Sequence, residues 1–122
     1  MGRRSRQRAR QARTGPSAAR STSDYPQGDG NTLTLRDELS AGTLRQLEEL
    51  EGRPAASAED RRQRRAEFLF ERLAVRWEIA GLPLEGQKEL LGRYRLAGAE
   101  ERSQVRAVLA QHLEARHPGI DV

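Results

Sequence analysis

The sequence predicts an all-α protein: a small antiparallel bundle of three to five helices preceded by a disordered, arginine-rich N-terminal tail. Three observations predict it. Residues 1–32 contain no Leu, Ile, Val, Phe or Trp, apolar residues recur at helical spacings from Leu33 onward, and no segment reads as period-two alternation bounded by turn signals. At 122 residues there is room for one domain and a tail.

The tail and its linker take residues 1–32. Arg3, Arg4, Arg6, Arg8, Arg10, Arg13 and Arg20 occur with no acid before Asp24. Tyr25 is the only large apolar side chain there, so burial cannot offset roughly 1–2 kcal/mol of backbone entropy per ordered residue. The run Pro26 to Asn31 is turn and linker chemistry. Residues 1–30 carry seven arginines and two acids, a net of +5, whereas residues 31–122 carry 15 basic and 16 acidic side chains. The formal charge of +4 therefore belongs to the tail.

The helical domain is expected over residues 33–118, with helices at about 34–51, 58–80, 83–97 and 99–116. Leu33, Leu35, Leu39, Leu44, Leu47 and Leu50 follow at short spacings, with Thr34 as a cap. Gly42 interrupts them, so one kinked helix or two short ones satisfy the pattern, and Gly52-Arg53-Pro54 ends it. Ser57 caps the second helix, with Glu59 and Asp60 in the first turn where the helix dipole favours negative charge. Its second half is apolar on two faces from Phe68 to Ile79 and should be the centre of the core. Gly81 reads as its C-terminal stop and Pro83 as the first residue of the third helix. In the fourth helix Val105, Val108, Leu109, His112 and Leu113 keep the helical period, and Pro118-Gly119 stops it.

No enzyme is expected. The chain has no cysteine, and its two histidines, His112 and His117, stand five residues apart on one helix and point in different directions. The glycines match neither a P-loop nor a dinucleotide fingerprint, and neither Ser57 nor Ser103 lies in a G-x-S-x-G turn. No metal, cofactor or small-molecule substrate is implied. No run approaches the roughly 20 apolar residues that span a bilayer, and no apolar segment follows the basic N-terminus as a secretory signal would. No membrane contact is expected, and the expected compartment is the cytoplasm.

The tail is the strongest functional signal. Seven arginines can neutralise about five to seven phosphates, so nucleic-acid affinity should fall with a log–log salt slope near −5. Arginine suits this task because its planar fork donates two parallel hydrogen bonds. Of 22 basic residues 21 are arginine, though genome composition explains that bias as readily. Arg61, Arg62, Arg64 and Arg65 form a second basic block that would extend the same surface, although Glu59, Asp60 and Glu67 flank it. The short turn at Leu96 to Ala99 suits a helical hairpin better than a DNA-reading helix-turn-helix, because two acids open the following helix. The first expectation is thus a non-enzymatic protein whose tail contacts RNA or DNA, foremost RNA or the ribosome, with the helical body as scaffold. The alternative is a protein–protein adaptor or self-associating module that docks through an exposed Leu35, Leu39 and Leu47 face, with a solubilising tail.

Thr34-Leu35-x-Asp37-x-Leu39, the charge-rich helix after it, and Phe70-x-x-Leu73 ahead of Trp77 resemble a family of short uncharacterised helical proteins of spore-forming bacteria. The resemblance covers residues 33–77 and implies a helical fold and no activity. The chain departs from that pattern in having arginine for lysine, Gly52-Arg53-Pro54 in mid-segment, and two further C-terminal helices.

Overall fold

The structure, a computed structural model, describes residues 21–28 and 30–122. Along the chain lie β1 (Thr22–Pro26), β2 (Thr32–Arg36), α1 (Ala41–Glu51), α2 (Ala58–Leu73), β3 (Ala74–Ile79), β4 (Leu82–Glu85), α3 (Gln87–Leu96) and α4 (Ala99–Arg116). The four strands form one antiparallel sheet in the order β1-β2-β3-β4. The expectation of an all-α bundle is therefore corrected: the fold is mixed, with four helices and a four-stranded sheet.

Each strand replaces a stretch expected to be helix or linker. Thr32 to Arg36 alternates Thr, Leu, Thr, Leu, Arg, which places Leu33 and Leu35 on one face and leaves Thr34 on the other. Ala74 to Ile79 ends α2 without a loop, the Ala74 N–H still donating to the Phe70 carbonyl. Its Val75, Trp77 and Ile79 are β-branched or aromatic and suit a pleated surface. Gly81 does not close a helix. With Ala80 it forms the two-residue turn between Ile79 and Leu82, both at positive φ (54° and 81°), as a type I′ hairpin requires. Pro83 lies in edge strand β4, where its missing N–H interrupts no inner ladder. Tyr25, expected in a disordered linker, pairs with Leu33 in β1.

Register explains the two faces. Tyr25, Leu33, Trp77 and Leu84 lie opposite one another and carry the buried side; Asp24, Thr34, Arg76 and Glu85 form the neighbouring row and carry the polar side. A bulge between Thr34 and Leu35 shifts the register so that Leu35 pairs with Ala74, and both are buried. The helices cover the apolar face. Leu47 of α1, Leu69, Phe70 and Leu73 of α2, Leu90 and Tyr94 of α3, and Val105, Leu109 and Leu113 of α4 complete the core with Leu33, Leu35 and Trp77. Phe70 sits at its middle, stacked on Tyr94 at 4.8 Å and edge-on to Trp77 at 5.7 Å. The other face stays polar: Thr34 donates to Asp24 (2.6 Å), and Arg76 lies 3.7 Å from both Glu78 and Glu85.

Candidate nucleic-acid interface

The seven tail arginines, Arg3 to Arg20, lie outside the described residues. What the structure describes is the point from which the tail departs. Ser21 precedes β1, and its carbonyl accepts from the Asp37 N–H at 3.0 Å. Asp37, just beyond the end of β2, is buried at 3% exposure. Burial pushes its carboxyl up, but hydrogen bonds from Ser21 and Ser23 and the nearby Arg116 and His112 outweigh that and hold it below its ordinary value. Ser23 Oγ donates to it at 2.6 Å, and Arg116 lies 3.3 Å away.

His112, on α4, is fully buried beside this cluster. Its Nε2 lies 2.6 Å from the Arg36 carbonyl, which can only accept, so Nε2 carries the proton. That leaves Nδ1 to accept from the Tyr25 hydroxyl at 2.7 Å. Burial pushes the imidazole pKa below its ordinary value, although the Arg36 carbonyl and Asp37 pull the other way. By the same logic His117 Nε2 donates to the Asp37 carbonyl at 3.0 Å. Both histidines thus fasten the β1–β2 ribbon to the end of α4. Among the described residues no group of three His, Cys, Asp or Glu side chains is placed to hold a metal ion.

Beside this anchor lies an open depression of about 500 Å³, lined by Ser21, Arg36, Glu38, Leu39, Ser40, Thr43, Arg72 and Gln87. Ser40 is committed to capping α1, accepting from the Thr43 N–H at 3.0 Å. Gln87 Nε2 donates to the Glu71 carbonyl at 3.1 Å. Arg72 lies over the Phe68 ring at 5.0 Å, a cation–π contact, and its buried Nε has no hydrogen-bond partner. Neither Arg36 nor Arg72 belongs to any of the nine ion pairs among the described residues.

The second basic block behaves differently. Arg62 pairs with Glu59 (2.9 Å), Arg64 with Asp60 (3.0 Å), and Arg65 with Glu51 (2.7 Å) and Asp121 (3.2 Å). Arg61 donates to the Glu51 carbonyl at 3.0 Å. Arg61, Arg62 and Arg65 line a depression with Ala58, Asp121 and Val122 that shares no residue with the one at Ser21. None of the four arginines lines the depression at Ser21.

The exposed leucine face expected of an adaptor is corrected as well. Leu35 is wholly buried on the core face of β2, Leu47 is 6% exposed, and Leu39 packs against the core. Strand alternation, not helical spacing, decides where Leu35 points. Among the described residues the exposed large apolar side chains are instead Leu44, Leu82 and Leu96, on α1, β4 and α3.

Arg36 and Arg72 were not legible as a pair. They are 36 residues apart, and only the strand reading of residues 32–36 would have placed the end of β2 against the last turn of α2. These features define a class: a sheet with helices on one face, a polar open face, and a basic depression where an arginine-rich segment joins. No family model, curated protein or solved structure matches the chain. No helix among the described residues is long and apolar enough to cross a membrane.

Proposed function

We propose that this is a non-enzymatic nucleic-acid-binding protein of the cytoplasm whose arginine tail contacts the phosphates of RNA, with the mixed α/β body as its mount. The observation that carries the reading is the acid-free run of seven arginines in residues 1–20, set against a body that holds 18 acidic and 15 basic side chains over residues 21–122. A body of net −3 repels a polyanion, so attraction must come from the tail.

The body is not a base reader on this account. Its five aromatic side chains are Tyr25, Phe68, Phe70, Trp77 and Tyr94, and all are buried in the core or packed against it. None is free to stack on an unpaired base, which is how single-stranded RNA is usually read. Binding should therefore show little sequence preference. The test compares the full chain with a variant in which all seven tail arginines are glutamine, on single-stranded RNA oligonucleotides of two compositions. The reading expects at least about a hundredfold loss on neutralisation and similar affinities for the two compositions. Equal binding by the two proteins would sink it.

A further inference from the structure

We infer that the Arg36/Arg72 depression is a phosphate subsite that fixes one backbone phosphate of the strand held by the tail. The inference rests on the nucleic-acid reading above and deepens it, because it says where on the body the strand is held.

Position comes first. Ser21, where the arginine-rich segment joins the described body, lines the depression, so this surface adjoins the start of the tail. Chemistry comes second. Two arginines line it and neither has a carboxylate partner among the described residues, whereas Arg62, Arg64, Arg65, Arg76, Arg93, Arg95 and Arg116 all do. The Phe68 ring holds one face of the Arg72 guanidinium and so limits its freedom. Arginine forks match phosphate oxygens in pairs, which suits an oxyanion beside them. The Ser21 hydroxyl already donates to Asp37 and so has no proton to offer a phosphate, and the arginines carry the binding.

The buried network gives the site rigidity. Arg36 offers its carbonyl to His112, and the next residue, Asp37, is bonded to Ser21, Ser23 and Arg116. The backbone beneath one guanidinium is thus held from two elements, β1 and α4. A competing arginine pair, Arg102 and Arg106, lines a depression of only about 130 Å³ away from Ser21, and Arg106 there already bonds to Tyr94.

Glu38 opposes the site. It lines the same depression and forms no ion pair among the described residues, so its negative charge works against a bound phosphate. This gives the inference a test of two signs. The full chain, R36Q/R72Q and E38Q are titrated with single-stranded RNA across a salt series, and inorganic phosphate is titrated in parallel while the backbone amide resonances of Ser21, Thr43 and Gln87 are followed. Expected are a roughly tenfold weaker RNA affinity and a salt slope shallower by about one for R36Q/R72Q, against a few-fold tighter affinity for E38Q. Misfolding cannot produce the gain in E38Q. The phosphate titration should give saturable shifts in the parent chain that vanish in R36Q/R72Q. If RNA binding is strong, tail-dependent and indifferent to both substitutions, the subsite is wrong while the tail reading stands. Saturable phosphate shifts alongside that indifference would mean a free-phosphate site, which also overturns the inference. If the full chain does not bind RNA at all, the tail reading itself has failed.

Discussion

The two edge strands of the sheet are held in opposite ways. β1 is bolted down by polar contacts: Ser23 to Asp37, Tyr25 to His112, and the neighbouring Gln27, whose Oε1 accepts from Trp77 Nε1 at 3.0 Å. β4 has no such fastening. Leu84 packs partly against the core, Leu82 is 72% exposed, and Glu85 reaches Arg76 only at 3.7 Å on the solvent side. Buried hydrogen bonds fix geometry, and they are costly to break because each leaves a partner unsatisfied. Polar fastening is concentrated where the arginine segment joins and is spared at the far edge.

Breaking the bolts should cost most. Asp37→Ala removes the acceptor of Ser21 and Ser23 and the partner of Arg116, and should lower stability by about 2–3 kcal/mol in urea denaturation. A loss below about 0.5 kcal/mol, the range of ordinary surface substitutions, would show the cluster to be incidental. Tyr25→Phe leaves His112 Nδ1 buried without a donor and should cost about 1–2 kcal/mol, with faster amide exchange in β1 than in β4 relative to the parent.

Acid should act on the same strand without any mutation. The folded His112 pKa is below its ordinary 6.5, so as pH falls under that value the unfolded chain takes up the proton first and stability drops. Asp37, also lowered, adds a second loss in the same direction below its ordinary 3.8. The urea midpoint should hold level above neutrality and decline on acidification, and Tyr25→Phe should change that decline. A midpoint that rises between pH 7 and 5 would contradict the assignment of a buried neutral His112.

At the other edge the effects should be small. Leu82→Ser removes an exposed side chain and should stay within about 0.5 kcal/mol. Ala80→Asn, at a φ of 54° before Gly81, puts a residue tolerant of left-handed backbone into a type I′ turn and should raise stability by about 0.5 kcal/mol. A loss on that substitution would mean that the Ala80 N–H bond to Asn31 Oδ1 depends on the small side chain.

The starts of α2 and α4 were legible, whereas α1 begins at Ala41 and not near Thr34, and α3 at Gln87 and not at Pro83. Ser57 caps α2 with Glu59 and Asp60 in its first turn, and α4 begins after Gly98, because capping chemistry is local. The strands were not, for reasons that particular residues make plain. The stretch after Leu73 has no Gly or Pro before Gly81 to mark the change from helix to strand. Phe70, Leu73 and Trp77 fit a helical stripe, while Val75, Trp77 and Ile79 fit a strand equally well, so only the β-branched and aromatic density could arbitrate. Leu33 and Leu35 were absorbed into a leucine series that continues to Leu39 and Leu47, which hid a five-residue alternation. Tyr25 gave no local signal, since β1 is held by contacts that span 14 and 87 positions in sequence, Ser23 to Asp37 and Tyr25 to His112. The candidate site was half legible: the arginine run is plain in the sequence, whereas Arg36 and Arg72 meet only through the sheet that the periodicity concealed.

The most direct test of the central claim is the dependence of single-stranded RNA affinity on salt. Seven tail arginines predict a log–log slope of about −5 for the full chain, collapsing toward zero when all seven are glutamine. A slope near zero in the full chain, or one that neutralising the tail leaves unchanged, would contradict it.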